Sequence, residues 1–234
     1  MKLKIEKVER PFRLSKLPLD RVYIIDDYLS PALHRWTNSM LSNNNIWGKT
    51  NEVRGSKERG GLPNHSLWGA TFFRGEDYKL DSDMTPMYTY FAKWLDRKIQ
   101  TDFGFRWVRF QYMGANSQTQ GLHGTSHSDC SEDDSWNLSF LYYTNAFWNP
   151  HWGGKLRFYN QNVPLGIKKT MDKHEIGFVD FKPNRLLMFD GRIPHGAEAP
   201  SSSASYIDRR SIVLRGDEVR LSDKKEDFYA NDRI

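Results

Sequence analysis

Hydrophobic and polar positions change rhythm once along the chain, near Phe105. Before that point, "RVYIIDDYLSPALHRWTNSMLS" predicts a short apolar strand at Val22 to Ile25. A helix follows from Pro31, with Ser30 as N-cap and proline at the first helical position. A second helix is expected from Pro86 to about Gln100, capped by Thr85, because Tyr90, Phe91, Trp94, Leu95 and Lys98 recur at helical spacing. Between the two, "NNNIWGKTNEVRGSKERGGLPNHSLWG" is rich in Asn, Gly and charge and reads as a long loop. After Phe105 the runs are short and aromatic: "FRWVRFQYM", "NLSFLYYTN", "GKLRFYN", "FVDF", "NRLLMFD" and "RRSIVLRG". Each is bounded by turn-forming residues, the pattern of a β-sandwich or barrel. Helices followed by many strands predict an α+β, mainly β layout in which helices buttress a β-core.

Composition narrows the chemistry. The 234 residues are 38% hydrophobic, enough to bury a substantial core. Cys130 is the only cysteine, so disulfides within the chain, four-thiolate zinc sites and iron–sulfur clusters held by one subunit are excluded. Any metal site must draw on His, Asp and Glu. No signal-peptide core and no long uncharged apolar window occur, which leads to the expectation of a cytoplasmic protein without a membrane partner. The net charge of +5 permits an acidic partner such as nucleic acid, although Glu6, Glu9 and Asp20 interrupt the basic N-terminal stretch.

Within "GLHGTSHSDCSEDD", His127 and Asp129 form His-x-Asp, and in extended backbone residues two apart point to the same side. Alone the pair is weak, since about 0.6 such pairs arise by chance in a chain with seven histidines. "RLLMFDGRIPHGAEAP" supplies His195 after an apolar strand. Two histidines and one carboxylate on one face of an octahedron leave three positions open, the arrangement that suits non-haem Fe(II). Arg209 and Ser211 share a face of "RRSIVLRG", where a guanidinium and a hydroxyl could hold a keto-acid carboxylate. His123 and His127 are four apart, but the glutamate of helical zinc-protease motifs is absent and Gly124 stands in its place. His123 is therefore expected in a loop outside the ligand set. The glycines from Gly55 to Gly61 superficially resemble a phosphate-binding loop, yet no Lys-Ser/Thr pair follows them.

These residues resemble the Fe(II)- and 2-oxoglutarate-dependent oxygenases, and within them the prolyl 4-hydroxylase-like branch. "YMG" precedes His127-Ser-Asp129, and "LSFLYYTNAFWNPHWGGKLRFY" is similar to a strand ending in Tyr-x-Asn followed by Trp-x-Gly-Gly-x-Leu. "NRLLMFDGRIPHGAEAP" resembles the distal-histidine strand, and Arg209-Arg-Ser211 the Arg-x-Ser motif, all in the family's order. The resemblance implies a double-stranded β-helix, or jelly roll, as one domain over residues 1–216. In it, 1–104 would give helical support and entry strands, 105–216 the jelly-roll core, and 217–234 a charged tail.

The same resemblance implies that His127, Asp129 and His195 ligate iron and serve catalysis, and that Arg209 pairs with the distal carboxylate of 2-oxoglutarate. Tyr143, sharing a face with Ser139 and Leu141, would add its hydroxyl, with Ser211 and Tyr112 lining the same co-substrate pocket. Tyr142 faces the opposite way, into the core. Gly153 and Gly154 would allow a tight turn or a close backbone approach. Implied cofactors and co-substrates are Fe(II), 2-oxoglutarate and O2, with ascorbate as accessory reductant, and the reaction is C–H hydroxylation with release of succinate and CO2. A prolyl residue of a protein or peptide is the first substrate expectation; a free amino acid or other small-molecule substrate stays open. Two alternatives also stand: a nucleic-acid demethylase of the same superfamily, since Arg209 and Arg215 form Arg-x5-Arg, and a non-catalytic jelly-roll binding module. The sequence departs from the family pattern in its long polar approach to His127 and in the passage from Gln161 to Asn184, where substrate loops would lie.

Overall fold

The computed structural model describes residues 2–10, 12, 18–43, 46–53, 65–74, 86–130, 137–161, 171–204 and 206–221. In chain order these form β1 (Lys4–Lys7), β2 (Arg21–Ile25), α1 (Pro31–Ser42), β3 (Gly48–Val53), β4 (His65–Arg74) and α2 (Pro86–Phe103). There follow β5 (Phe105–Gln118), β6 (Asn137–Tyr143), β7 (Leu156–Tyr159), β8 (Glu175–Val179), β9 (Leu186–Asp190), β10 (His195–Ala197) and β11 (Arg209–Leu221). Eight strands make the larger sheet in the order β1-β2-β9-β6-β11-β5-β4-β3, and β10-β7-β8 make the smaller one. The protein is mainly β, with a jelly-roll core and, among the described residues, two α-helices.

Period-two alternation divides the buried residues between two layers. Tyr23, Ile25, Phe140, Tyr142, Leu186, Met188, Ile212 and Leu214 point to one face of the larger sheet, where they meet Met40 and Leu41 of α1 and Phe91, Leu95, Ile99 and Phe103 of α2. Val22, Ile24, Leu141, Tyr143, Leu187, Phe189 and Val213 point to the other, against Leu156 and Phe158 of the smaller sheet. Tyr142 is thus on the helix side, where His34 Nδ1 lies 2.6 Å from its hydroxyl. Tyr143 is on the inter-sheet side.

Both helices begin as their sequences dictate. The Ser30 side chain accepts from the Leu33 N–H, and Pro31 opens α1. α2 runs three residues beyond Gln100 and stops where Gly104 takes φ 63°, the left-handed conformation that ends helices cheaply at glycine. Its expected cap, Thr85, lies outside the described residues, as do Gly55 to Gly61. The expected long loop is corrected by β3 and β4. Loop-like composition was overridden there by pairing with an existing edge: β4 hydrogen-bonds to β5 from Trp68 to Arg74, and β3 pairs with β4. β1, which is charged, pairs in parallel with β2. The charged stretch expected from 217 onward belongs to β11 as far as Leu221, paired with Phe105. Among the described residues, no helix is long and apolar enough to cross a membrane.

Asp26, at the end of β2, ties several of these segments together. Lys7 Nζ lies 3.3 Å, Lys182 Nζ 3.1 Å and Arg185 Nε 2.7 Å from its carboxylate oxygens. Burial alone would raise this carboxyl's pKa, but Arg185, Lys182 and Lys7 outweigh it and hold the group well below the usual carboxylate range. A depressed folded-state pKa means that the stabilisation is complete above the unfolded value of about 3.9 and is lost as pH falls toward the folded one. Asp26→Asn is therefore expected to lower stability by about 1 kcal/mol at pH 7, the two lysines being well exposed. The melting-temperature gap to wild type should narrow below about pH 4. An equal gap at pH 7 and pH 3 would contradict the assignment.

Candidate metal and co-substrate site

His127 and His195 are brought side by side by backbone pairing. The His127 N–H donates to the His195 carbonyl at 3.0 Å, and the His195 N–H to the His127 carbonyl at 2.9 Å. Directly opposed residues of an antiparallel pair project to the same face, so the two rings sit 4.6 Å apart, centroid to centroid. Asp129, two residues on from His127, joins them on that face, its N–H held by the Gly191 carbonyl at 2.8 Å. His127 Nε2 is 3.6 Å from Asp129 Oδ1, and His195 Nε2 is 3.5 Å from Oδ2. Donor atoms from all three residues lie within 4.8 Å of one another.

The tautomers are set by the chain itself. His127 Nδ1 lies 2.9 Å from the Thr125 carbonyl, and His195 Nδ1 lies 2.8 Å from the Ile193 carbonyl. A carbonyl only accepts, so each Nδ1 carries a hydrogen and each Nε2 is turned to the space beside Asp129. Burial pushes the His195 pKa down to about 4 against the pull of Asp129, which keeps that imidazole neutral. Burial would raise the Asp129 carboxyl, but the Arg215 guanidinium, first among the groups that lower it, holds it well below the usual range, so it is ionised. A neutral His195 imidazole and an ionised Asp129 carboxylate, with His127 Nε2 beside them, make a donor set suited to a divalent ion. Bonds of about 2.1 Å at right angles would separate the donors by roughly 3 Å, so small side-chain movements suffice for the group to fit.

Asp129 has further partners. Ser139 Oγ donates to its Oδ2 at 2.6 Å, and Arg215 Nη2 lies 2.7 Å from Oδ1. Arg215 also lies over the Tyr112 ring, 5.4 Å from its centroid. Ser139, Arg215 and Tyr112 stand in register across β6, β11 and β5.

Deeper between the sheets, Arg209 is 1% exposed, and among the described residues no carboxylate lies within salt-bridge distance of it. Its Nε donates to the Gly154 carbonyl at 2.8 Å and its Nη1 to Gln118 Oε1 at 3.0 Å. Its Nη2 finds no hydrogen-bond partner among the described residues, and neither does the buried hydroxyl of Tyr143. The guanidinium carbon sits 5.0 Å from the Tyr143 ring centroid and 5.1 Å from that of Phe181. Burial lowers the Arg209 pKa and raises that of Tyr143. A buried cation and a buried hydroxyl, both with unmet hydrogen bonds, form a cradle for an anion. Gly154 makes room for it: its φ is 80°, and a Cβ there would stand 2.9 Å from the Trp148 ring and 3.4 Å from Arg209 Cδ.

The structure therefore brings His127, Asp129 and His195 together and sets Arg209 beside Tyr143. Ser211 is buried on the same strand face as Arg209, opposite Tyr143 in the register. Tyr112 is only partly buried, and its described ring contact is with Arg215. His123 stays outside the cluster, exposed, with Nδ1 accepting from the Ala199 N–H at 3.2 Å. Sequence reasoning missed Gln118 and Phe181, neither of which belongs to a motif, and it marked Gly154 only for close backbone approach and not for its carbonyl's bond to Arg209.

The class these features define is a jelly-roll protein with a two-histidine, one-carboxylate face next to a buried anion cradle. Residues 111–214 match the family model of the 2OG-Fe(II) oxygenase superfamily. No curated protein matches the sequence. Among solved structures the fold is similar to a Pseudomonas putida prolyl-4-hydroxylase, at 16% identity, 84% of this chain, 92% of that one and a TM-score of 0.54. It is similar also to a Trichoplax adhaerens prolyl hydroxylase in complex with a hypoxia-inducible-factor peptide fragment, at 20% identity, 84% and 83% coverage and a TM-score of 0.51. A 2OG-Fe(II) oxygenase family oxidoreductase from Burkholderia pseudomallei shares 11% identity over 86% of this chain and 87% of its own, with a TM-score of 0.57.

Proposed function

We propose that this chain is an Fe(II)- and 2-oxoglutarate-dependent dioxygenase that hydroxylates a C–H bond, with prolyl residues of a protein or peptide as the first substrate class. The observation that carries the reading is the buried Arg209, without a carboxylate partner among the described residues, beside the buried Tyr143 hydroxyl, on the same sheet that presents Arg215 to the histidine–carboxylate cluster. When bound, iron with 2-oxoglutarate and O2 supplies the oxidising power, releasing succinate and CO2. His127, Asp129 and His195 would hold the metal, three protein donors that leave positions free for co-substrate. Arg209 and Tyr143 receive the distal carboxylate, and Ser211 and Tyr112 line the remainder of the pocket. Phe181 and Trp148 exclude water from the cradle, which strengthens each charge-assisted hydrogen bond made there. Ser139 and Arg215 keep the Asp129 carboxylate turned toward the histidines.

Prolyl specificity is supported by Tyr143-Thr144-Asn145 and by Trp152-Gly153-Gly154-Lys155-Leu156, which resemble hydroxylase motifs. In the described structure the Arg215 charge is directed to Asp129, which leaves it less free for a nucleic-acid phosphate. The test is succinate release by the purified chain with Fe(II), 2-oxoglutarate and ascorbate, in the presence of proline-rich peptides, free amino acids or methylated single-stranded DNA. Proline-rich peptides are expected to stimulate turnover and to gain the mass of one oxygen. Stimulation by methylated DNA with loss of a methyl group would reassign the substrate class. Absence of any visible absorption band on anaerobic addition of Fe(II) and 2-oxoglutarate would sink the enzymatic reading.

A further inference from the structure

Gln118 ends β5 directly opposite Arg209 of β11, is 0% exposed, and has both ends of its amide engaged. Its Oε1 accepts from Arg209 Nη1 at 3.0 Å, while its Nε2 donates to the Leu122 carbonyl at 2.9 Å and to the Ala197 carbonyl at 3.2 Å. The orientation is forced. A guanidinium only donates and carbonyls only accept, so the reversed amide would meet a mismatch on each side. Leu122 lies on the approach to His127, and Ala197 ends β10, two residues after His195. The Ala197 carbonyl also receives the Gly124 N–H at 2.8 Å, which fastens the same two segments to each other. One buried amide therefore joins the cradle's cation to both backbone segments that carry the histidines.

We propose that Gln118 is a positioning residue for 2-oxoglutarate: it fixes the direction of the Arg209 guanidinium and references it to the histidine-bearing segments. The inference rests on the reading of Arg209 as the anchor of the distal carboxylate. Arginine reaches its fork through a long stem with several rotatable bonds, and the Gly154 carbonyl restrains only Nε. Gln118 supplies the second point, so that Nη2 is left facing the Tyr143 side. Because Leu122 and Ala197 hold Gln118 in turn, the distance from anchor to metal face is set by one hydrogen-bonded unit. A keto acid bridging the two requires that distance to be constant.

Gln118→Met removes every one of these bonds at similar volume. The full-length chain would be loaded with Ni(II), which binds without turnover, and titrated anaerobically by calorimetry with 2-oxoglutarate and with 2-oxovalerate, the keto acid in which a methyl replaces the distal carboxylate. Wild type is expected to prefer 2-oxoglutarate by about a hundredfold. Gln118→Met should lose about tenfold or more in 2-oxoglutarate affinity, while 2-oxovalerate affinity stays within about twofold. Equal loss for both ligands, or none for either, overturns the proposal. If Gln118→Met does not fold, Gln118→Glu retains the shape and the acceptor but sets a negative charge against Arg209 and removes the donor. It should show the same selective loss, and an unchanged preference overturns the proposal. A wild type with no preference refutes the anchor reading and this inference with it, whereas a wild-type preference that both variants keep refutes the role of Gln118 alone.

Discussion

Asp129→Ala is expected to reduce divalent-metal affinity by at least about a hundredfold and to bring 2-oxoglutarate turnover to background. Two effects act together. The substitution removes the single anionic donor, and it leaves the Arg215 guanidinium, 2.7 Å from that carboxylate, as an uncompensated positive charge beside the metal position. The fold itself should tolerate the change, because the Arg215 side chain is 38% exposed and can be solvated. Near-normal melting with lost Ni(II) binding is the expected pair of results, read by thermal unfolding and calorimetry. The double variant Asp129→Ala/Arg215→Met should recover part of the metal affinity. Wild-type turnover by Asp129→Ala would show that the cluster is not the metal centre.

Arg209→Met should abolish the response to 2-oxoglutarate while leaving metal binding in place. Truncating one partner of a buried charge pair costs about 2–5 kcal/mol, thirtyfold or more in affinity. In wild type, 2-oxoglutarate added with Ni(II) is expected to raise the melting temperature through mass action, and in Arg209→Met that rise should vanish. Arg209→Lys should rescue little. A lysine has one ammonium and cannot satisfy the Gly154 carbonyl, Gln118 and an incoming carboxylate in the fixed directions of the fork. An undiminished thermal response in Arg209→Met would place the co-substrate elsewhere.

The two helices were legible because their signals are local: a serine and a proline at the start of α1, and a helical apolar stripe in α2. The inter-sheet and helix-facing sides of β6 were legible for the same reason, since alternation alone separates Tyr143 from Tyr142. β3 and β4 were not, because what makes them strands is the edge of β5, more than thirty residues away in sequence. The limit of β11 was likewise hidden. Charged residues beyond Gly216 read as a tail until their pairing with β5 is known.

The sequence by itself determined the chemistry on offer: two histidines, one carboxylate, a lone arginine and a tyrosine, at spacings and in an order that resemble a known family. It could not determine how those groups are held. His127 and His195 converge because their backbones pair with each other across sixty-eight residues of chain. Arg209 points into the cradle because Gln118, which no motif marks, and the backbone carbonyl of Gly154 supply acceptors on its other sides. Ligand identity is a property of residue type and so is written in the string. Ligand geometry is a property of long-range hydrogen bonds and burial, which exist only once the sheets have closed on one another.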